Sequence, residues 1–159
     1  YKRQLLLLTK IDNGQFPESV EVDIAALVRE QAEVCEEIYA SRRQRVTLTA
    51  VQPLTVTMNE SLASTIVNNL VKNAFVHSAE GCAIDITADP SSRVLRVAND
   101  GEAPLDADRI FDRFYQGTKR EGSTGLGLAL AGAVARYYGL RLTYRFDGGR
   151  HIFEVAWPR

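Results

Sequence analysis

Three pairs of alternating, β-branched segments set between helical stretches constrain this chain more than any other feature. The first pair is "RVTLTAV" (45–51) and "LTVTM" (54–58), separated by Gln52-Pro53. The second is "CAIDITADP" (82–90) and "RVLRVAND" (93–100), with Pro90-Ser91-Ser92 as the turn. The third, "LRLTYRF" (140–146) and "HIFEVAWP" (151–158), closes as a hairpin around Gly148-Gly149. Residues that branch at Cβ and alternate with polar neighbours suit a pleated surface with one buried face. A shorter strand, "VEVDI", precedes a helix that Asp23 caps and that runs to about Ser41. Asn59 caps a second helix, and "GLGLALAGAVARYYG" (125–139) forms a third. Strands and helices arriving in blocks predict an α+β sandwich with a mostly antiparallel sheet.

A chain of 159 residues is most simply one domain with a sizeable core. Its net charge of −1 gives no electrostatic case for a nucleic-acid partner or an anionic membrane surface. The one basic cluster, "SRRQR" (41–45), reads as a solvated helix end. Cys35 and Cys82 match no metal or redox spacing and are expected as free thiols. With only His77 and His151 available, a histidine-rich metal site is excluded. No stretch approaches the roughly 20 apolar residues of a membrane span. "LLLL" (5–8) is far too short, and no signal-peptide pattern follows Tyr1. The chain is expected to be a piece of a longer protein, whose parent can carry a membrane anchor elsewhere. Tyr1–Asp12 reads as the tail of a helix stopping at Asn13-Gly14, with leucines that need a partner helix.

The helix after Asn59 contains "NNLVKNAFVHS" (68–78), unusually rich in amides. At 100° per residue, Leu62, Ala63, Ile66, Val67, Leu70 and Ala74 form one apolar arc, with Ser61, Thr65, Asn68 and Lys72 opposite. Asn69, Asn73 and His77, four residues apart, lie along one border of that arc. A half-buried amide without partners costs ~1–3 kcal/mol, so Asn69 and Asn73 need either protein backbone or a ligand. Two glycine-bearing segments join them. "NDG" (99–101) ends a strand, and by itself is an ordinary turn. "GSTGLGLAL" (122–130) opens into a helix, exposing N–H groups and a positive helix end to an anion, with Thr124 as the N-cap. Glycines at 122, 125 and 127 cost ~1 kcal/mol each inside a helix, which favours a closely approaching backbone or ligand. It is neither a P-loop nor a dinucleotide fingerprint.

In order, these segments resemble the ATP-binding catalytic domain of sensor histidine kinases, in the gyrase, Hsp90, histidine kinase and MutL ATPase superfamily. "NLVKNAFVHS" resembles the asparagine box, "VANDGEAPL" the first glycine box, "IFDRFYQG" the phenylalanine box and "GSTGLGLAL" the second glycine box. The resemblance implies a Bergerat-type, two-layer α/β sandwich over residues 18–159, three helices covering one face of a mixed sheet. Residues 1–14 then resemble the end of a dimerisation and phosphoacceptor helix.

The implied cofactors are ATP and Mg²⁺, and the implied catalytic residues are Asn69 and Asn73. Asn73 is the implied Mg²⁺ ligand, and amide oxygen is a hard donor suited to that ion. Asn69 stands where water-using relatives place a general-base carboxylate; an amide cannot take a proton, which suits transfer to a histidine. The resemblance also places His77, Asn99, Asp100, Gly101, Thr124, Gly125, Leu126 and Gly127 at the nucleotide, with Lys119 and Arg120 in a lid. Phe111 and Phe114 would pack at the lid hinge. Asn99 replaces the family's adenine-binding aspartate, Ala103 a glycine, and Val76 a residue that is commonly basic. A neutral acceptor for a charged one weakens adenine binding by about 1 kcal/mol, roughly five- to tenfold.

The implied activity is transfer of the γ-phosphoryl group to a histidine outside this sequence. The implied partners are the phosphoacceptor helices, a response regulator and a second copy of the parent. The implied location is a cytoplasmic domain whose parent can lie in the inner or plasma membrane. A degraded docking module, an anti-sigma-factor type serine kinase and a water-using ATPase are the alternatives.

Overall fold

A computed structural model describes residues 2–112 and 126–159. The elements in chain order are α1 (Lys2–Asp12), β1 (Val20–Asp23), α2 (Ile24–Ile38), a 3₁₀ turn (Ala40–Arg42), β2 (Arg45–Thr49) and β3 (Thr55–Met58). There follow α3 (Glu60–His77), β4 (Ala83–Asp89), β5 (Val94–Asp100), α4 (Gly127–Tyr138), β6 (Arg141–Asp147) and β7 (Arg150–Ala156).

The main sheet has the order β2-β4-β5-β7-β6, with only β2–β4 parallel. The alternation read from the sequence sorts its two faces. Val46, Leu48, Ile84, Ile86, Leu95, Val97, Phe153 and Val155 turn toward the helices and join one hydrophobic core. Thr87, Arg96 and Glu154 occupy the opposite face, where Glu154 pairs with Arg96 and Arg145. Helices α2, α3 and α4 lie over the inner face, so the expected two-layer α+β sandwich is what the chain forms. The last hairpin turns at Gly148 and Gly149, with φ of 59° and 74°, the left-handed pair that a two-residue turn requires.

The first expected strand pair divides. β3 pairs antiparallel with β1 in a separate two-stranded sheet, while β2 joins β4. The intervening link is held by α2 instead of by a hairpin ladder. Ile24 N–H donates to Leu54 O at 2.8 Å, the Asp23 carboxylate accepts from Leu54 N–H at 3.1 Å, and Arg29 donates to Ala50 O. Ala50 and Leu54 are buried. Asp23 thus caps α2, through Ala25 N–H, and fixes the link at once.

α1 finds part of its partner within the chain: Leu8 and Ile11 are buried, and α1 packs on α4, while Leu6 remains 57% exposed. Tyr137 Oη donates to Phe16 O, tying the segment after α1 to the same helix. Among the described residues no helix is long and apolar enough to cross a membrane.

Candidate functional site

α3 carries the amide edge because its other faces are committed to the core. Leu62, Ala63, Ile66, Val67, Leu70, Val71, Ala74 and Phe75 are all buried. Its start is fixed locally, by Asn59 Oδ1 accepting from Leu62 N–H at 3.1 Å. Its end is fixed from a distance. Arg42 donates to Phe75 O and Val76 O at 2.7 and 2.8 Å, and Gln44 to Phe75 O and Ser78 O at 2.8 and 3.1 Å. The basic cluster read as a solvated helix end is therefore, at Arg42 and Gln44, a cap on another helix's orphan carbonyls. These two caps hold the register of the three polar residues between them.

Asn69 and Asn73 are both half-buried, as is His77 in the last turn. Asn69 Nδ2 donates back to Thr65 O at 2.7 Å, so its Oδ1 is presented away from the helix. A Cβ placed on Gly127 would lie 3.0 Å from that Oδ1. The amide edge and the start of α4 therefore face each other across a very small gap. Glycine at 127 is favoured by this close approach, since a Cβ would make the Asn69 amide shift, and not by an unusual backbone angle. The Asn73 side chain makes no hydrogen bond among the described residues. It is an amide at a polar margin with its oxygen available.

α4 begins at Gly127, and its N-cap is Leu126, fully buried and without a side-chain cap bond. The expectation of Thr124 as N-cap is corrected by two residues: Leu130 N–H donates to Leu126 O at 2.8 Å, closing the first turn there. Among the described residues no side chain caps the N–H groups of Gly127 and Leu128, at the positive end of the helix. Lys119, Arg120, Thr124 and Gly125 lie outside the described residues, as does Phe114. Phe111 packs between the sheet and α4: its ring meets Phe153 edge-on at 6.1 Å, and its Cβ lies 3.2 Å from where a Cβ on Gly132 would sit.

At the end of β5, adjacent residues part company. Asn99 is 1% exposed on the helix-facing side, and its Nδ2 donates to Asp100 O at 3.1 Å, leaving Oδ1 as acceptor. Asp100 lies on the opposite face of the sheet. Its carboxylate accepts from Ala83 N–H at 3.0 Å and lies 3.5 Å from Arg150, which also binds Asp85 at 2.6 Å. Asp100 is thus not brought to the amide edge, because consecutive strand residues point to opposite faces. Gly101 N–H donates to Gly149 O at 2.9 Å. Val76 is buried and Ala103 exposed, so neither offers a polar group to the margin.

One inner-face residue was missed. His151 sits directly opposite Asn99 in the β5–β7 register, and its Nε2 lies 2.2 Å from where a Cβ on Gly101 would be. The signal was present: a two-residue turn at Gly148-Gly149 sets the register of β7. Burial pushes the His151 imidazole below its ordinary value, toward the neutral form. Among the described residues no cluster of three His, Cys, Asp or Glu side chains is assembled that could hold a metal by itself.

The family model described as "Histidine kinase-, DNA gyrase B-, and HSP90-like ATPase" matches residues 58–159. The heme sensor protein HssS of Staphylococcus saprophyticus is 29% identical over 142 residues, which is 83% of this chain and 30% of that protein. HssS of Staphylococcus aureus is 31% identical over 140 residues, again 30% of its length. The chain thus spans about a third of these relatives. Among solved structures, the Acinetobacter baumannii histidine kinase AdeS aligns with a TM-score of 0.78 at 21% identity. That alignment covers 96% of this chain and 74% of AdeS, and it supports the fold alone.

Proposed function

Because the chain belongs to the histidine kinase-, DNA gyrase B- and HSP90-like ATPase family, we propose that it is the catalytic domain of a two-component sensor histidine kinase. It would transfer the γ-phosphoryl group of Mg–ATP to a histidine on a dimerisation domain outside this sequence. The observation that carries the reading is Asn69 Oδ1 set against Gly127, with the half-buried Asn73 amide, without a hydrogen bond among the described residues, one turn further along α3.

The residues present fit such a group. Bound Mg–ATP supplies an electrophilic phosphorus whose charge the metal spreads, and catalysis is then mainly positioning and charge neutralisation. Asn73 would hold the metal through its amide oxygen. The first-turn N–H groups of α4, at Gly127 and Leu128, would donate to phosphate oxygens, with Leu126 beside them. Asn69 would orient phosphate, metal or water; lacking a titratable group, it cannot serve as a base toward water. Asn99 Oδ1 would accept from the adenine amino group, and His77 would border the nucleotide. Gly101 and Gly127 let His151 and Asn69 come close to the backbone at this margin, whereas Asp100 acts on the outer face by holding Arg150 and the start of β4. Lys119, Arg120, Thr124 and Gly125 belong to the same proposal as lid and loop contacts. Residues 1–14 would end the phosphoacceptor helix and 18–159 would form the ATPase domain. The parent would act as a homodimer, cytoplasmic at this domain and membrane-anchored elsewhere, passing phosphate to a response regulator.

The test is titration with a fluorescent ATP analogue with and without Mg²⁺, followed by labelled ATP plus a purified phosphoacceptor domain. Magnesium-dependent binding that Asn73→Ala weakens about 10- to 100-fold is expected, with label appearing on histidine. Label on serine, or release of phosphate to water alone, would overturn the kinase class. Binding without any transfer would favour a docking module, the reading that Asn99 in place of aspartate points toward.

A further inference from the structure

The outer side of α2 carries a pattern that neither the fold nor the proposed activity uses. Leu27, Gln31, Val34 and Ile38 are spaced four, three and four residues apart, so they fall within about 60° of one another around the helix. That spacing is the 3.5-residue period of a seam that packs against a second helix. The core-facing side is separate and complete: Ile24, Ala25, Val28, Ala32 and Cys35 are buried. On the seam, Leu27 is half-buried at the edge of the core, while Val34 is 43% and Ile38 65% exposed. Scattered exposed aliphatics are ordinary on a protein surface. Three in heptad register on one helix are not scattered, and they form a strip about 16 Å long. Gln31 interrupts the strip at one point, where its Nε2 donates to Cys35 Sγ at 3.4 Å. A single polar residue in such a seam fixes the register of the helix that packs on it.

Charge selects which helix. In this register Glu30 and Glu37 flank the seam on one side, each one residue before a seam position. The flanking positions on the other side are Val28 and Cys35, already buried in the core. Glu33 lies further round on the acidic side. All three glutamates are exposed, and none forms an ion pair among the described residues. A second copy laid on the same strip would bring glutamates to both sides of the contact, and an anionic lipid or nucleic-acid surface would be repelled as well. We infer that the α2 strip is a docking surface for an amphipathic helix of a partner protein, aliphatic along its seam and bearing lysine or arginine on the border that faces Glu30 and Glu37. The inference goes beyond the nucleotide reading and is independent of it, because no residue of the strip belongs to the amide edge of α3. A contact confined to one short strip is smaller than a permanent interface, so the partner is one that binds and leaves.

The experiment is ¹⁵N NMR titration of this chain with a synthetic three-heptad helical peptide that carries isoleucine and leucine on its seam and lysine at the flanking positions. A second peptide with glutamate at those flanking positions is titrated beside it. The lysine peptide should shift the α2 amide signals around Leu27, Val34 and Ile38 and leave those of Asn69 and Asn73 in place. Ile38→Asp should weaken its binding about tenfold or more, with the fold kept because that side chain is exposed. Glu30→Lys and Glu37→Lys should each weaken the lysine peptide about two- to fivefold, and together should turn the preference toward the glutamate peptide. Glu80→Lys, the same charge change at an exposed position outside α2, should do neither. Shifts centred outside α2, equal affinity for the two peptides, or unchanged affinity in Ile38→Asp would overturn the inference. So would a dimer of the chain alone in sedimentation that Ile38→Asp abolishes, since the strip would then take a second copy. Binding to phosphatidylserine vesicles that the same variant abolishes would make the strip a membrane surface and overturn it too. Should Ile38→Asp fail to fold, the two glutamate reversals and the position of the wild-type shifts decide the matter.

Discussion

The two faces of the main sheet use the same strands for opposite purposes. On β7, Phe153 is 1% exposed in the core, and Glu154 beside it lies on the outer face with Arg96 and Arg145. On β5, Asn99 is buried toward the helices, and Asp100 pairs with Arg150 across the open face. A carboxylate fits the outer face because water and guanidinium groups solvate it there. The inner face accepts only polar groups that are neutral and few, and places them where α3 and α4 leave a margin. The difference shows that rank in a sequence motif does not decide which of two adjacent polar residues can meet a ligand; strand parity does.

The sharpest way to break this contrast is truncation on either side of β7. Phe153→Ala should cost ~3–5 kcal/mol in urea unfolding, from lost burial plus a cavity. Glu154→Ala should cost under ~1 kcal/mol, since its ion pairs are partly exposed. Comparable losses would mean that the outer face is more tightly packed than its exposure indicates. The next effect is on binding. Asn99→Asp should tighten Mg–ADP about five- to tenfold in calorimetry, because a charged acceptor meets the adenine amino group. It should also lower stability without nucleotide, because a carboxylate at this buried position must shed its water. Asp100→Ala is the counterpart on the other face. It should cost ~1 kcal/mol of stability by freeing Ala83 N–H and Arg150, with ADP affinity unchanged; a fall in affinity would return Asp100 to the site.

The smallest effect is on pH dependence. The folded state holds His151 below its ordinary value of 6.5, so the unfolded chain binds this proton more readily. Its contribution to stability is complete above about pH 6.5 and is lost as pH falls through the lower folded value. His151→Gln should flatten that part of the stability profile between pH 7 and 5, measured by thermal unfolding; an unchanged slope would place the titration elsewhere.

Much of this was legible before any coordinates. The caps at Asp23 and Asn59 were readable because an N-cap acts on the next two or three residues. The turn at Gly148-Gly149 was readable because left-handed angles nearly require glycine. The amide edge followed from helical period alone. What failed were pairings between segments distant in the chain. "RVTLTAV" and "LTVTM" alternate as a hairpin would, yet the α2 terminus takes up the link between them. "SRRQR" looks like a solvated end until α3 arrives with open carbonyls. The start of α4 moved from Thr124 to Leu126, since glycine-rich termini leave no propensity signal to mark the first turn.

By itself, the sequence determined the elements, their periodicities, and the polar residues that could not simply be buried. Those are local properties, set within a turn of helix or a pair of strand residues. Tertiary structure alone decided that Gly127 stands against Asn69, that Asp100 faces away, and that His151 meets Asn99. Each of those depends on where two remote stretches of backbone are brought side by side, a matter of packing and register that no single segment encodes.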